Sequence, residues 1–187
     1  MAPRLILASS SPRRARILES LGLRFEILPA DVDETVLPGE SPKAAVRRLA
    51  RAKALIPRDN GNDCVLAADT LVVLGARILG KPKDRAEARS MLKDLSGRTH
   101  TVTTGVAVRW AGRMASVVDL TDVRFRRMDE AEIERYVGTG EPLDKAGAYH
   151  IEGGGAAFIE AIHGSPSNVA GLSVTTARRL LKRAGIF

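Results

Sequence analysis

Two long segments of alternating character, Thr99 to Trp110 and Met114 to Arg126, are joined across Ala111-Gly112-Arg113. A connection that short closes only an antiparallel pair, because parallel neighbours need a crossover of a dozen or more residues. Shorter apolar runs at Arg4 to Ala8, Phe25 to Pro29, Val65 to Ala68 and Leu71 to Leu74 alternate with helical stretches. The class expected is therefore α/β, with a mixed twisted sheet flanked by helices rather than an all-parallel one. With 187 residues and 44% hydrophobic content, the chain can bury one full core and is expected to be one domain over 1–187, with the hairpin region a candidate second lobe.

Helix signals punctuate the strands. Pro12 starts a helix that Gly22 ends, and Ser41-Pro42 starts a second that runs to about Ile56. Helices are also expected from Asp84 to Leu95, from the cap Asp129 to Val137, and from about Asn168 to Ala184. Gly75 turns the chain from Leu71–Leu74 into Arg77-Ile78-Leu79 as a hairpin. Gly153-Gly154-Gly155 precedes a strand-like stretch from Ala156 to Ile162.

Composition narrows the chemistry. No stretch approaches the roughly 20 apolar residues of a membrane span, and the N-terminus lacks a signal-peptide pattern, so a soluble cytoplasmic protein is expected. The single cysteine, Cys64, cannot form an intramolecular disulfide and opens an apolar run. His100, His150 and His163 lack metal-ligand spacing, which leaves oxygen ligands for any metal. The net charge of +7 calls for an anionic partner or substrate, while aromatics at 4% argue against base-stacking platforms for nucleic acid.

Several residues break the bland pattern. Ser9-Ser10-Ser11-Pro12-Arg13-Arg14 sets hydroxyls, backbone N–H groups and two guanidinium forks at a helix start, which suits phosphate; an ordinary serine cap followed by solvated arginines is the alternative. Lys53 shares a helical face with Val46, Leu49 and Ala50, so it either snorkels at the core edge or points at a phosphate. Asp69 interrupts an apolar run, and a buried carboxylate costs several kcal/mol unless paired, which points to a metal ligand or general base against a turn-capping aspartate with Thr70. The loop acids Asp31, Asp33 and Glu34 are weak alone but with Asp69 offer oxygens to Mg²⁺. Lys81, in Gly80-Lys81-Pro82, is a candidate for phosphate neutralisation, as against a surface ion pair, and Asp144-Lys145 is an opposed loop pair. His150 and Glu152 project to one side if Ile151 is extended, either as base-recognition groups or as polar residues beside a loop.

Together these motifs resemble the Maf-like nucleoside triphosphate pyrophosphatase family over nearly the whole chain. The resemblance rests on Leu7-Ala8-Ser9-Ser10-Ser11-Pro12-Arg13-Arg14, Ala68-Asp69-Thr70, Gly80-Lys81-Pro82, Leu95-Ser96-Gly97-Arg98-Thr99-His100 and the segment from Glu141 to Tyr149. It implies a two-lobed fold with a central cleft, related to inosine triphosphate pyrophosphatases and often dimeric. The implied enzyme is a house-cleaning hydrolase that splits a nucleoside triphosphate into monophosphate and pyrophosphate with Mg²⁺ or Mn²⁺. By motif, Ser9, Arg13 and Arg14 bind phosphate. Asp69 is the proton acceptor with Glu34, Lys53 and Lys81 in the catalytic set, and Asp69 and Glu34 hold the metal. Arg13 and Thr70 follow the dTTP/UTP branch, whereas Glu152 stands where that branch carries glutamine and the 7-methyl-GTP branch carries glutamate. An ionised glutamate only accepts hydrogen bonds, which bears directly on the base edge it can meet. Two rival classes are a nucleotide-binding regulator without turnover and a basic nucleic-acid-binding protein using Arg178 to Arg183.

Overall fold

The computed structural model describes residues 3–57 and 62–187. Its strands are β1 (Arg4–Leu7), β2 (Glu26–Ile27), β3 (Asp63–Leu74), β4 (Arg77–Leu79), β5 (Thr99–Trp110), β6 (Arg113–Phe125) and β7 (Ile159–His163). The helices are α1 (Pro12–Ser20), α2 (Pro42–Leu55), α3 (Arg85–Leu95), α4 (Glu130–Gly138), α5 (Pro166–Val169) and α6 (Val174–Arg183). Pairing follows the order β2-β1-β3-β5-β6-β7, with β4 on β3, which makes a seven-stranded mixed sheet. No helix among the described residues is long and apolar enough to cross a membrane.

The chain divides into two compact units, one of Met1–Thr70, Thr104–Asp119 and Gly171–Phe187, the other of Leu71–Thr103 and Leu120–Ala170. In the first unit β1 runs parallel to both β2 and β3, with Leu5 opposite Cys64 and Ile6 opposite Val65. Residues 64–68 are fully buried, as strands covered on both faces must be. Ile6, Val65, Ala67 and Ala107 pack with Ala50 and Ala54 of α2. Ser41 caps α2 by accepting from the Ala44 N–H, and Pro42 occupies its first turn. The β5–β6 turn has positive φ at both central residues, 44° at Ala111 and 71° at Gly112, as the primed turns that match strand twist require.

In the second unit β4 folds back on β3, with Val72 opposite Leu79, and β7 is antiparallel to β6. Asp129 and Glu132 form a reciprocal capping box at the start of α4. The core is aromatic: Phe125 lies 4.9 Å from both His100 and Tyr149, edge to face, and Tyr136 meets Phe158 at 5.1 Å.

Three expectations need correction. The two short β runs around Asp69-Thr70 are one continuous strand, β3, because the segment sits between β1 and β5 and keeps its pairing. The strand expected over Ala156–Ile162 starts as a 3-10 turn at Gly154–Phe158, and β7 begins only at Ile159. The long final helix is two, α5 and α6, separated around Gly171, whose φ of 109° no helix accommodates.

His100 carries a pH dependence. It is 1% exposed, its Nε2 lies 3.0 Å from the Tyr149 hydroxyl, and burial pushes its pKa down to about 4, against a smaller opposing pull from Asp122. The unfolded chain takes up this proton near the ordinary pKa of about 6.5, so stability is full above that pH and falls as the pH drops toward 4. The expected loss from this group is about 3 kcal/mol. Urea unfolding of wild type and His100→Gln between pH 7 and 4.5 should show a gap that narrows with acid; a constant gap would refute the assignment.

Candidate active site

Asp69 sits in mid-β3, directly after the fully buried run 64–68, and is itself only 6% exposed. The strand is continuous there, so the turn-capping alternative falls away. Its compensation comes from α2. Val46, Leu49, Ala50 and Lys53 form the buried face of that helix, and Lys53, in the last turn, sends Nζ to 2.6 Å from Asp69 Oδ1 and 2.5 Å from Glu34 Oε1. Lys53 is therefore neither snorkelling nor unpaired, but the shared counter-ion of two carboxylates. Burial raises the Asp69 pKa from its ordinary value although Lys53 and Arg14 pull it down; Glu34 adds a smaller push upward. A carboxylate made more basic in this way is a better proton acceptor than a free one.

The serine-arginine segment closes on the same cluster from β1 and α1. Ser11 stands at the N-cap of α1, but its side chain makes no cap hydrogen bond. Instead Ser9 Oγ accepts from the Ser11 N–H at 3.2 Å and from Arg14 NH1 at 3.1 Å. Arg14 turns inward: Nε donates to the Gly171 carbonyl at 2.9 Å and NH2 to Thr70 Oγ1 at 3.2 Å. All three of its nitrogens thus fasten the loop after β1, β3 and the turn before α6 together, with Thr70 Oγ1 also 3.0 Å from Thr104 Oγ1. Burial lowers the Arg14 pKa, with Asp69 opposing, yet an arginine keeps its charge through such shifts. Arg13, next on the helix, is half-buried.

Of the loop acids, Asp33 Oδ1 accepts from the Thr35 N–H at 2.9 Å, and Asp31 is exposed. Only Glu34 reaches the Lys53–Asp69 pair. Among the described residues no group of three or more His, Cys, Asp or Glu side chains converges as a metal site. Two hard carboxylates on one lysine still match the one or two protein ligands with which Mg²⁺ is content when phosphates and water complete its shell.

Lys81, His150 and Glu152 belong to the second unit. Lys81 is exposed between β4 and α3, and the Gly147 N–H donates to the Gly80 carbonyl at 3.1 Å, tying the Gly80-Lys81-Pro82 loop to the Lys145-Ala146-Gly147 loop. Lys145 pairs with Asp144. His150 Nε2 lies 3.7 Å from Glu152 Oε2. The two side chains do meet, although residues 151–153 form a turn and not the extended piece expected.

Sequence reading gave no part to Thr104 and Gly171, which meet Thr70 and Arg14, nor a part to Tyr136 and Glu141, which hold the His150–Gly155 segment, although Glu141 stands in the Glu141–Tyr149 motif. The visible trace of the second pair was Gly153-Gly154-Gly155, since consecutive glycines mark a backbone that something approaches closely.

The description "Maf-like protein" belongs to the family model that matches residues 4–184. The chain is 56% identical over 189 residues to a dTTP/UTP pyrophosphatase of Anaeromyxobacter dehalogenans strain 2CP-1, covering 99% of this chain and 96% of that protein. It is 45% identical over 184 residues to a dTTP/UTP pyrophosphatase of Aquifex aeolicus strain VF5, covering 98% and 96%. Among solved structures, a HAM1 protein from Coxiella burnetii is similar in fold, with a TM-score of 0.54 and 18% identity over 97% of this chain and 100% of that one.

Proposed function

The chain belongs to the Maf-like protein family, and on that premise we propose that it is a nucleoside triphosphate pyrophosphatase, releasing a nucleoside monophosphate and pyrophosphate. The observation that carries the reading is the convergence of Asp69 and Glu34 on Lys53, beside the Arg14–Ser9–Thr70 cluster. Water attacks the α-phosphorus in line with the departing pyrophosphate, and Asp69 accepts the water's proton. Lys53 holds that carboxylate in place. Ser9 and Arg13 bind phosphate oxygens at the start of α1, where backbone N–H groups and the helix dipole favour negative charge. Arg14 keeps Ser9 and Thr70 in position while adding charge nearby. Lys81 carries the phosphate-neutralising role that its motif assigns.

Asp69 and Glu34 are the residues that would hold Mg²⁺ or Mn²⁺, and the ion when bound would offset charge developing on the phosphates. A cytoplasmic location and a homodimer belong to the same reading, as does the absence of any need for nucleic acid.

For the base, the names of the relatives and the presence of Arg13 and Thr70 favour dTTP and UTP. Glu152 beside His150 is the group that would read the base edge, with His150 able to supply the donor a carboxylate lacks. The test is pyrophosphate release from a panel of nucleoside triphosphates, standard and modified, with and without divalent metal, by wild type and Glu152→Gln. We expect metal-dependent release, with dTTP and UTP leading, and a reordered ranking in the variant. Nucleotide binding without pyrophosphate would make the protein a regulator and overturn the enzymatic reading. An unchanged ranking in Glu152→Gln would remove its base-reading role alone.

A further inference from the structure

The segment that carries His150 and Glu152 is held by a carboxylate and a phenol that face inward. Tyr136, on α4 and 5% exposed, donates its hydroxyl proton to Glu141 Oε1 at 2.6 Å and accepts from the His150 N–H at 3.0 Å. The same Glu141 accepts from the Gly155 N–H at 3.3 Å through Oε1 and from the Gly154 N–H at 3.2 Å through Oε2. One side-chain pair therefore grips three backbone donors on both sides of Glu152.

This grip accounts for the three glycines. A Cβ on Gly153 would lie 2.5 Å from Glu141 Oε2, and one on Gly154 3.2 Å from the Tyr136 ring. On Gly155 it would lie 2.7 Å from the His150 nitrogen and 2.9 Å from the Tyr136 hydroxyl. The space that side chains would need is filled by the clamp. Burial alone would raise the Glu141 pKa, but the donors from Tyr136, Gly154 and Gly155 outweigh it and hold the group ionised. Burial and the adjacent carboxylate raise the Tyr136 pKa, so it stays a phenol and a donor.

We propose that Glu141 and Tyr136 are positioning residues for base discrimination, fixing the turn from His150 to Gly155 so that Glu152 presents one orientation. The inference rests on the base-reading role proposed for Glu152. Neither residue bonds to Asp69, Lys53, Glu34, Ser9 or Arg14, so loosening the clamp is expected to cost recognition and not chemistry.

The test is steady-state kinetics on dTTP, UTP, CTP and GTP for Glu141→Gln, Tyr136→Phe, Glu152→Gln and the Glu141→Gln/Glu152→Gln double variant. Glutamine is isosteric with Glu141, but its NH₂ can only oppose one of the N–H donors. Each clamp variant should raise KM for the preferred nucleotide about tenfold, or ~1.4 kcal/mol, with kcat within about threefold of wild type. Adding Glu152→Gln to Glu141→Gln should change the ranking no further, because the two act as one unit. Amide exchange at Gly154 and Gly155 should quicken in Glu141→Gln, a readout independent of activity.

If Glu152→Gln shifts the ranking while both clamp variants preserve it, the positioning role is wrong and the base-reading role stands. If Glu152→Gln leaves the ranking unchanged, the base-reading role fails and takes the positioning role with it. A loss of kcat at constant KM in the clamp variants also overturns the proposal.

Discussion

Replacing Asp69 with asparagine is expected to lower kcat for pyrophosphate release about 10³-fold, the scale of losing a positioned general base. The amide keeps the shape of the carboxylate, and Lys53 retains Glu34 at 2.5 Å as its counter-ion, so circular dichroism and the unfolding midpoint should show a folded protein. With Asp69 as the base, the wild-type rate profile should carry an acid limb. Activity is full when Asp69 is ionised and falls as acid protonates it. The residual activity of the variant should lack that limb. A folded Asp69→Asn protein with near-normal turnover would remove Asp69 from the mechanism.

The second large effect comes from a residue with no functional group. Gly105 lies on β5 directly beneath α2, and a Cβ there would sit 2.2 Å from the Val46 carbonyl oxygen and 2.9 Å from the Arg47 nitrogen. These are backbone atoms, so no rotamer change relieves the contact and the whole helix must move. Gly105→Ala is expected to cost about 3 kcal/mol, at the upper end of overpacking. Lys53 lies two turns further along the same helix, so its pairing with Asp69 should weaken and kcat should fall with stability. Denaturant unfolding should show a lower midpoint at unchanged slope. Gly138, where an added Cβ meets nothing within 4 Å, is the control and should accept alanine within about 0.5 kcal/mol. Equal effects at the two positions would show that packing beneath α2 is not what holds Lys53.

How much of this was readable along the chain depended on the range of the cause. The start of α1 at Pro12, the Ser41 cap of α2 and the β5–β6 hairpin follow from chemistry within a few residues. The apolar face of α2 likewise placed Lys53 inward, and the cost of burying Asp69 required a partner. That each was the other's partner was not readable, since the pairing bridges 16 residues and depends on β3 being continuous. Arg14 was harder still: two adjacent arginines look alike in sequence, and the partners that hold one of them inward include Thr70 and a carbonyl 157 residues away, at Gly171. The region from His150 to Phe158 misled because its glycines answer to Tyr136 and Glu141, not to a local turn preference.

Cys64 has a practical consequence. It is the chain's single sulfhydryl, fully buried in β3 opposite Leu5, and burial pushes its pKa up to about 12. Reagents that attack thiolates find almost none there at neutral pH. A cysteine introduced on the surface is therefore the sole reactive handle in the folded protein, and a dye or spin label can be attached at a chosen position without first removing the native residue.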